Sequence, residues 1–340
     1  MSQPTVRLVE PDHATQQRAA AEGWPVEALE PYYDTFTLAG GASSTARGGV
    51  PIAAVRVVFS HRCDRKPHPT SDATAIDAIW EAKLATTQAR GGRLFNATKF
   101  RLHSIQWADD GARDGVVIEL GLTCYKDYVG TNLLPEAERL ALEAAGGSAD
   151  PNAHLSNALG CETVLLTSDG LVTMLRRSGA VATGTGLYNG PSGHPEPSHA
   201  GIEGHASNES DASVVTRLEE LARAEIFRSV LLEVHEETNV PLAALSEPRL
   251  IGAMADRSRK PDLLFVTHTK LSANEVRAAY AAGAVEGWES DRLAFCSLGQ
   301  QQEGQELAPN VGDLPLTAVT RAAIAALRFL DSNQGVGVIN

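Results

Sequence analysis

The chain has 340 residues, 43% of them hydrophobic and 21% charged, enough apolar material for two domains of ordinary size. A formal net charge of -13 excludes nonspecific attraction to nucleic acid or to an anionic membrane, and it requires that any anionic substrate be met by local cations. Cys63, Cys124, Cys161 and Cys296 form no C-x-x-C pair, so neither a disulfide framework nor a local zinc site is encoded. With no apolar run long enough to span a membrane and no apolar core of a signal peptide near the start, the expected setting is the cytoplasm.

In chain order, Val6 to Val9 reads as a short strand, and Gly40 to Ser44 and Arg47 to Gly49 read as loop. That glycine patch is not a P-loop, because no Gly-Lys-Ser/Thr follows it. Ile52 to Phe59 is a strand. His61-Arg62-Cys63-Asp64 follows as a surface loop, since three ligand types within four residues do not easily converge on one ion. Asp72 to Gln88 is a helix with Ile76, Ile79, Trp80 and Leu84 on one stripe. Lys99 to Trp107 and Val116 to Leu122 alternate as an antiparallel hairpin that is expected to continue through Thr123 to Asn132.

Residues 135–157 read as a polar helix and linker, with Gly146, Gly147 and Pro151 marking a boundary. A second hairpin, Glu162 to Leu166 and Leu171 to Arg176, turns at Ser168-Asp169-Gly170. Gly184 to Gly190 is loop, and residues 198–213, poor in bulky apolar side chains, are expected to form a mobile excursion. Leu250 to Met254 and Leu263 to Thr269 are strands, Ser272 to Glu275 is a capping box, and Leu316 to Leu330 is a final amphipathic helix. The expected class is α/β. Residues 158–331 form an α/β/α sandwich with a mixed sheet and an insertion at 198–213. A smaller α+β domain over 51–135 and a linker over 136–157 precede it, and residues 1–50 are an N-terminal extension, partly loop.

One helix stands apart. In Ile226 to Pro241 the apolar residues Ile226, Val230, Leu231 and Val234 share a face, while Glu233, Glu236 and Glu237 crowd the final turns. Like charges at these spacings cost about 0.2–0.5 kcal/mol per pair, and acid at a helix C-terminus opposes the macrodipole. A solvated acidic face is one reading of the run, and a hard-metal site of oxygen ligands, suited to magnesium and a phosphate-bearing substrate, is the other.

The spacing resembles the C-terminal half of the Nudix box, G-x5-E-x7-R-E-U-x-E-E-x-G-U, with Glu233, Val234, Glu236, Glu237 and Val240 on its E, U, E, E and U positions. Leu232 replaces the Arg, Asn239 replaces the Gly, and the glycine-bearing loop Pro191 to Pro197 lies too far upstream for the box spacing. Together with Leu94 to Ser104, Gly121 to Asn132, Leu175 to Ser178 and Gly193 to Pro197, the pattern resembles the UDP-glucose pyrophosphatase subfamily of Nudix hydrolases over roughly residues 55–300.

The resemblance implies a helper domain on a Nudix domain. It also implies cleavage of UDP-glucose or UDP-galactose to UMP and sugar 1-phosphate, with Mg2+ as cofactor and Mn2+ as the other candidate. A small-molecule UDP-sugar is the expected partner, with neither nucleic acid nor membrane. In the subfamily Phe95 and Tyr125 hold the nucleotide, Arg177, Ala182, Asn189, His194 and Glu196 line the rest of the substrate site, and Glu233 and Glu237 bind metal. Glu233, Glu236 and Glu237 are the expected catalytic set, Glu225 is a further candidate ligand, and Glu236, Glu286 and Glu289 are candidate bases. Two rival functions are a Nudix pyrophosphatase for another nucleoside diphosphate, such as ADP-ribose, and a non-catalytic nucleotide-sugar-binding module.

Overall fold

The computed structural model describes residues 7–37, 48–89, 91–108, 115–181, 183–208, 210–299 and 308–332. The first stretch carries β1 (Arg7–Val9), α1 (His13–Glu22) and β2 (Tyr32–Thr37). Next come β3 (Val55–Phe59), α2 (Ala73–Ala89), β4 (Thr98–Trp107), β5 (Val116–Cys124), α3 (Tyr125–Val129) and α4 (Glu136–Gly146). The remainder holds β6 (Gly160–Leu166), β7 (Val172–Arg177), β8 (Tyr188–Asn189), β9 (Ser192–Gly193), α5 (Ala212–Thr238), β10 (Arg249–Ala255), β11 (Pro261–His268), α6 (Ala273–Ala281), β12 (Ser290–Cys296) and α7 (Ala318–Ser332).

Among the described residues the larger sheet runs β1-β2-β10-β11-β6-β7-β12, with β8 beside β7 and β9 beside β6. It is mixed, since β6 and β11 are parallel and β10 and β11 antiparallel. β11 is buried from Pro261 to Thr267, the pattern of a strand covered on both faces. Phe265 meets Phe227 of α5 edge to face at 5.3 Å, while its neighbour Leu264 lies beside Gly252 and Ala326 of α7. Successive side chains thus point to opposite helical layers, which is the expected α/β/α sandwich.

The smaller sheet has the order β3-β5-β4, β3 parallel and β4 antiparallel to β5. One apolar core joins the two sheets, with Phe59 and Phe100 in the same cluster as Ile226 and Phe265. Arg101, wholly buried, donates to the carbonyls of Leu155 (3.1 Å), Cys63 (2.7 Å) and Asn152 (2.7 Å). That side chain fixes part of the expected linker against the small sheet.

Three expectations change. The hairpin does not extend through Asn132, because the chain turns into α3 at Tyr125. Residues 7–37, expected as an extension with one strand, add β1 and β2 to the large sheet, β2 pairing antiparallel with β10. The described part of the 198–213 excursion is packed: Ile202 and Ala206 are buried, and the His205 side chain is 2% exposed. Its last residues already belong to α5, which opens at Ala212 under an Asp211 cap. Small alanines and contacts supplied by β3 hide this first part from an apolar-periodicity reading. Most of the glycine patch near residue 40 lies outside the described residues.

Candidate active site

The acidic end of α5 lies against β9. Gly193 sits so close to Glu233 that a Cβ there would stand 1.7 Å from Oε1, and Glu237, buried, accepts the Ser192 N–H at 3.0 Å. Backbone N–H groups of β9 therefore face the glutamates from the side, and the His194 N–H faces Glu233. They hold the carboxylates that the missing box Arg does not, while Leu232 is half-buried on α5. Burial and the nearby carboxylates of Glu286, Glu236 and Glu289 push the Glu233 carboxyl up to about 8. Burial likewise raises Glu237 well above the usual range. Burial and like charge together disfavour ionisation of both groups, and a bound cation would favour it.

Asn239 ends α5 in the left-handed conformation (φ 59°), its N–H bonded to the His235 carbonyl at 2.7 Å and its side chain donating to Ala279 O at 2.9 Å. The exchange of Gly for Asn keeps the stop intact. Directly beyond it, the 284–289 loop is tied to the helix end by a Glu286 N–H to Glu236 O bond of 2.9 Å. Ser178 at the end of β7 holds the same loop twice, donating its N–H to Glu289 O at 2.8 Å and its hydroxyl to Trp288 O at 2.7 Å.

This docking brings Glu286 into the cluster: carboxylate oxygens of Glu233, Glu236 and Glu286 lie within 4.8 Å of one another. An all-oxygen set of that size fits a hard divalent cation. Glu237 stands beside Glu233 but spends one oxygen on β9. Glu225 is 2% exposed and weakly bound, its carboxylate 3.5 Å from the Glu196 N–H, 3.6 Å from His199 and 3.5 Å from Arg228. Glu289 has its carboxyl raised by burial, with Arg177 opposing the shift.

The residues expected to line the substrate site fall into two groups. Arg177 donates to Thr183 O at 2.9 Å and acts electrostatically on both Glu237 and Glu289. Asn189 is buried and donates to Ser192 Oγ at 3.0 Å, His194 is exposed, and Glu196 is ion-paired to Lys99 of β4. Phe95 and Tyr125 belong to the small-sheet unit, Phe95 73% exposed and Tyr125 half-buried edge-on to Trp80 at 6.1 Å. Their segments meet through Tyr125 N–H to Ala97 O (3.1 Å) and Lys126 N–H to Asn96 Oδ1 (2.9 Å). Ala182 lies outside the described residues.

Sequence reasoning missed two cations. Lys99 bridges to Glu196, Lys260 pairs with Asp262 at 2.6 Å, and both are within electrostatic reach of His194. The demand for local cations set by the net charge was the available signal, and Lys99 lies inside one of the motifs that carry the resemblance.

No protein-family model matches the chain. It is 38% identical over 262 residues to uridine diphosphate glucose pyrophosphatase NUDT22 of Bos taurus, covering 76% of this chain and 87% of that protein. The Homo sapiens protein of the same name is 36% identical over 251 residues, covering 73% of this chain and 79% of that protein. Nudix hydrolase 9 of Arabidopsis thaliana is 32% identical over 258 residues, covering 74% and 81%. On this similarity, which extends over most of each relative, the chain belongs to the Nudix hydrolase family.

Proposed function

We propose that the chain hydrolyses the diphosphate of UDP-sugars, converting UDP-glucose or UDP-galactose to UMP and sugar 1-phosphate with Mg2+. Nudix hydrolases generally depend on a divalent metal. The observation that carries the reading for this chain is the convergence of Glu233, Glu236 and Glu286, with Glu237 alongside, where burial and the neighbouring carboxylates raise the carboxyl of Glu233 to about 8. The names of the relatives support the UDP-sugar assignment.

Glu233, Glu236 and Glu286 would hold the metal, with Glu237 adding its remaining oxygen. A divalent ion held there would supply charge neutralisation at the diphosphate and lower the pKa of water. Every other contribution is positional and electrostatic, as phosphoryl chemistry requires. Glu289, on the loop anchored by Ser178, is raised by burial and is the proton acceptor. Arg177 and Lys99 meet negative charge on the substrate, and Phe95 and Tyr125 offer ring faces to the base. The unit over 51–135 is assigned the helper role, joined to the catalytic domain over 158–331 through the Lys99–Glu196 pair. Four free cysteines support a reducing, cytoplasmic setting. No helix among the described residues is long and apolar enough to cross a membrane.

The test is product analysis with UDP-glucose, UDP-galactose and ADP-ribose in Mg2+, repeated with EDTA and with Glu233→Gln. UMP and hexose 1-phosphate that vanish in both controls are the expected result. AMP from ADP-ribose with no UMP from either UDP-sugar overturns the substrate, and absence of any product overturns the activity.

A further inference from the structure

A second cluster lies away from the acidic helix. The loop after β3 presents His61 and Asp64, and the folded excursion delivers His205 to the same point from 141 residues away. Asp64 Oδ1 accepts the Leu122 N–H at 2.7 Å and His205 Nε2 at 2.9 Å, and Oδ2 lies 3.3 Å from His61 Nδ1. The imidazole rings are 3.9 Å apart between centroids, and Phe59 stacks on His205 at 4.4 Å and 27°. One ligand atom from each of His61, Asp64 and His205 falls within a 4.8 Å span. Within its own loop this motif lacked a converging third ligand; the fold supplies it.

We infer that His61, Asp64 and His205 form a binding site for a borderline divalent ion, of which Zn2+ is the representative, fastening the segment around His205 to the small sheet. Two imidazoles and one carboxylate match the donor preference of zinc, whereas Mg2+ keeps to oxygen ligands. Asp64 is held by the Leu122 amide and His205 by Phe59, so two of the three ligands are oriented before metal arrives. His61, with 62% of its side chain exposed, leaves an open side for metal entry and for water as the remaining ligand. A metal bound at the ring nitrogens that now face Asp64 requires each neutral imidazole to carry its proton on the other ring nitrogen.

Among the described residues one outer-shell contact is missing. His205 Nδ1, which must carry the ring proton when Nε2 binds metal, is buried with no hydrogen-bond partner among the described residues. A missing outer-shell partner lowers metal affinity by about 10–100-fold, so the site is a reversible binder rather than a permanent structural centre. Because the bound segment leads into α5, occupancy stabilises the folded chain by mass action.

The test uses full-length protein stripped with a chelator and returned to excess Mg2+, so that the acidic cluster is occupied. Zn2+ is titrated by calorimetry and Co2+ by visible absorption, alongside melting curves. Wild type and Glu233→Gln are expected to bind one equivalent of Zn2+ with a rise in melting temperature. His61→Ala and Asp64→Asn lower that affinity by about tenfold or more and lose the absorption of a nitrogen-ligated Co2+. His61→Ala is expected to leave Mg2+-dependent turnover unchanged, and its own metal-free melting temperature is the reference for any Zn2+-induced shift. Zn2+ binding of equal affinity in His61→Ala, binding lost in Glu233→Gln instead, or no binding in wild type each overturns the assignment.

Discussion

Gly193 touches the carboxylate of Glu233, although the two lie on separate elements with a folded excursion between them. A glycine is required there because any side chain would begin 1.7 Å from Oε1, inside the volume of the carboxylate. The contact reunites two parts of a box interrupted in sequence: β9, paired to β6 through Cys161 and Gly193, carries the glycine back to the acidic helix.

Gly193→Ala therefore tests the contact directly. The new methyl must push Glu233 out of the cluster, so turnover should fall by roughly 10–100-fold and the Mg2+ requirement rise, as for loss of a ligand-orienting contact. Steady-state kinetics across a Mg2+ series reads both. Unchanged Mg2+ dependence would mean that Glu233 does not hold metal.

Ser178→Ala removes the hydroxyl bond to Trp288 O and loosens the loop that carries Glu286 and Glu289. The backbone bond to Glu289 O remains, so the melting temperature should shift little, by about 1 kcal/mol of stability or less. The rate should drop about tenfold, in kcat more than in KM, because a small misplacement of a reacting group is costly.

Glu162, wholly buried on β6, has its carboxyl pushed up to about 8 by burial. Unfolded, the same group ionises near 4.5. An acid with its folded pKa raised contributes stability that is fully present below about 4.5 and is lost as pH rises through about 8. Glu162→Gln keeps the shape and cannot ionise. It should melt several degrees above wild type at pH 8 and show little difference at pH 4.5, a comparison that scanning calorimetry makes at once.

Arg101→Met leaves the carbonyls of Leu155, Cys63 and Asn152 buried without their donor. Each unsatisfied group costs about 1–3 kcal/mol, so denaturant unfolding should show a loss of several kcal/mol. A melting transition that splits in two would report that the small sheet detaches from the rest.

Features governed by neighbours in sequence were legible before the fold was known. The Ser272–Glu275 capping box, the turn at Ser168 to Gly170, the Asn239 stop and the acid-bearing turns of α5 all appear as expected. Each depends on backbone geometry within a few residues, where spacing and side-chain chemistry decide the outcome. The early part of α5 was not legible, because its core contacts come from β3, which lies far away in sequence.

The convergence of groups from distant segments was decided only in three dimensions. Residue type and spacing assigned acid to Glu233, Glu236 and Glu237, but pairing of β9 with β6 set Gly193 against that acid, and the Ser178 anchor brought Glu286 to it. The Lys99–Glu196 bridge and the meeting of His205 with Asp64 arise the same way. Local sequence selects each element and its chemistry; the relative placement of elements follows from burying one apolar core shared by both sheets, a sum over many long-range contacts that no single stretch encodes.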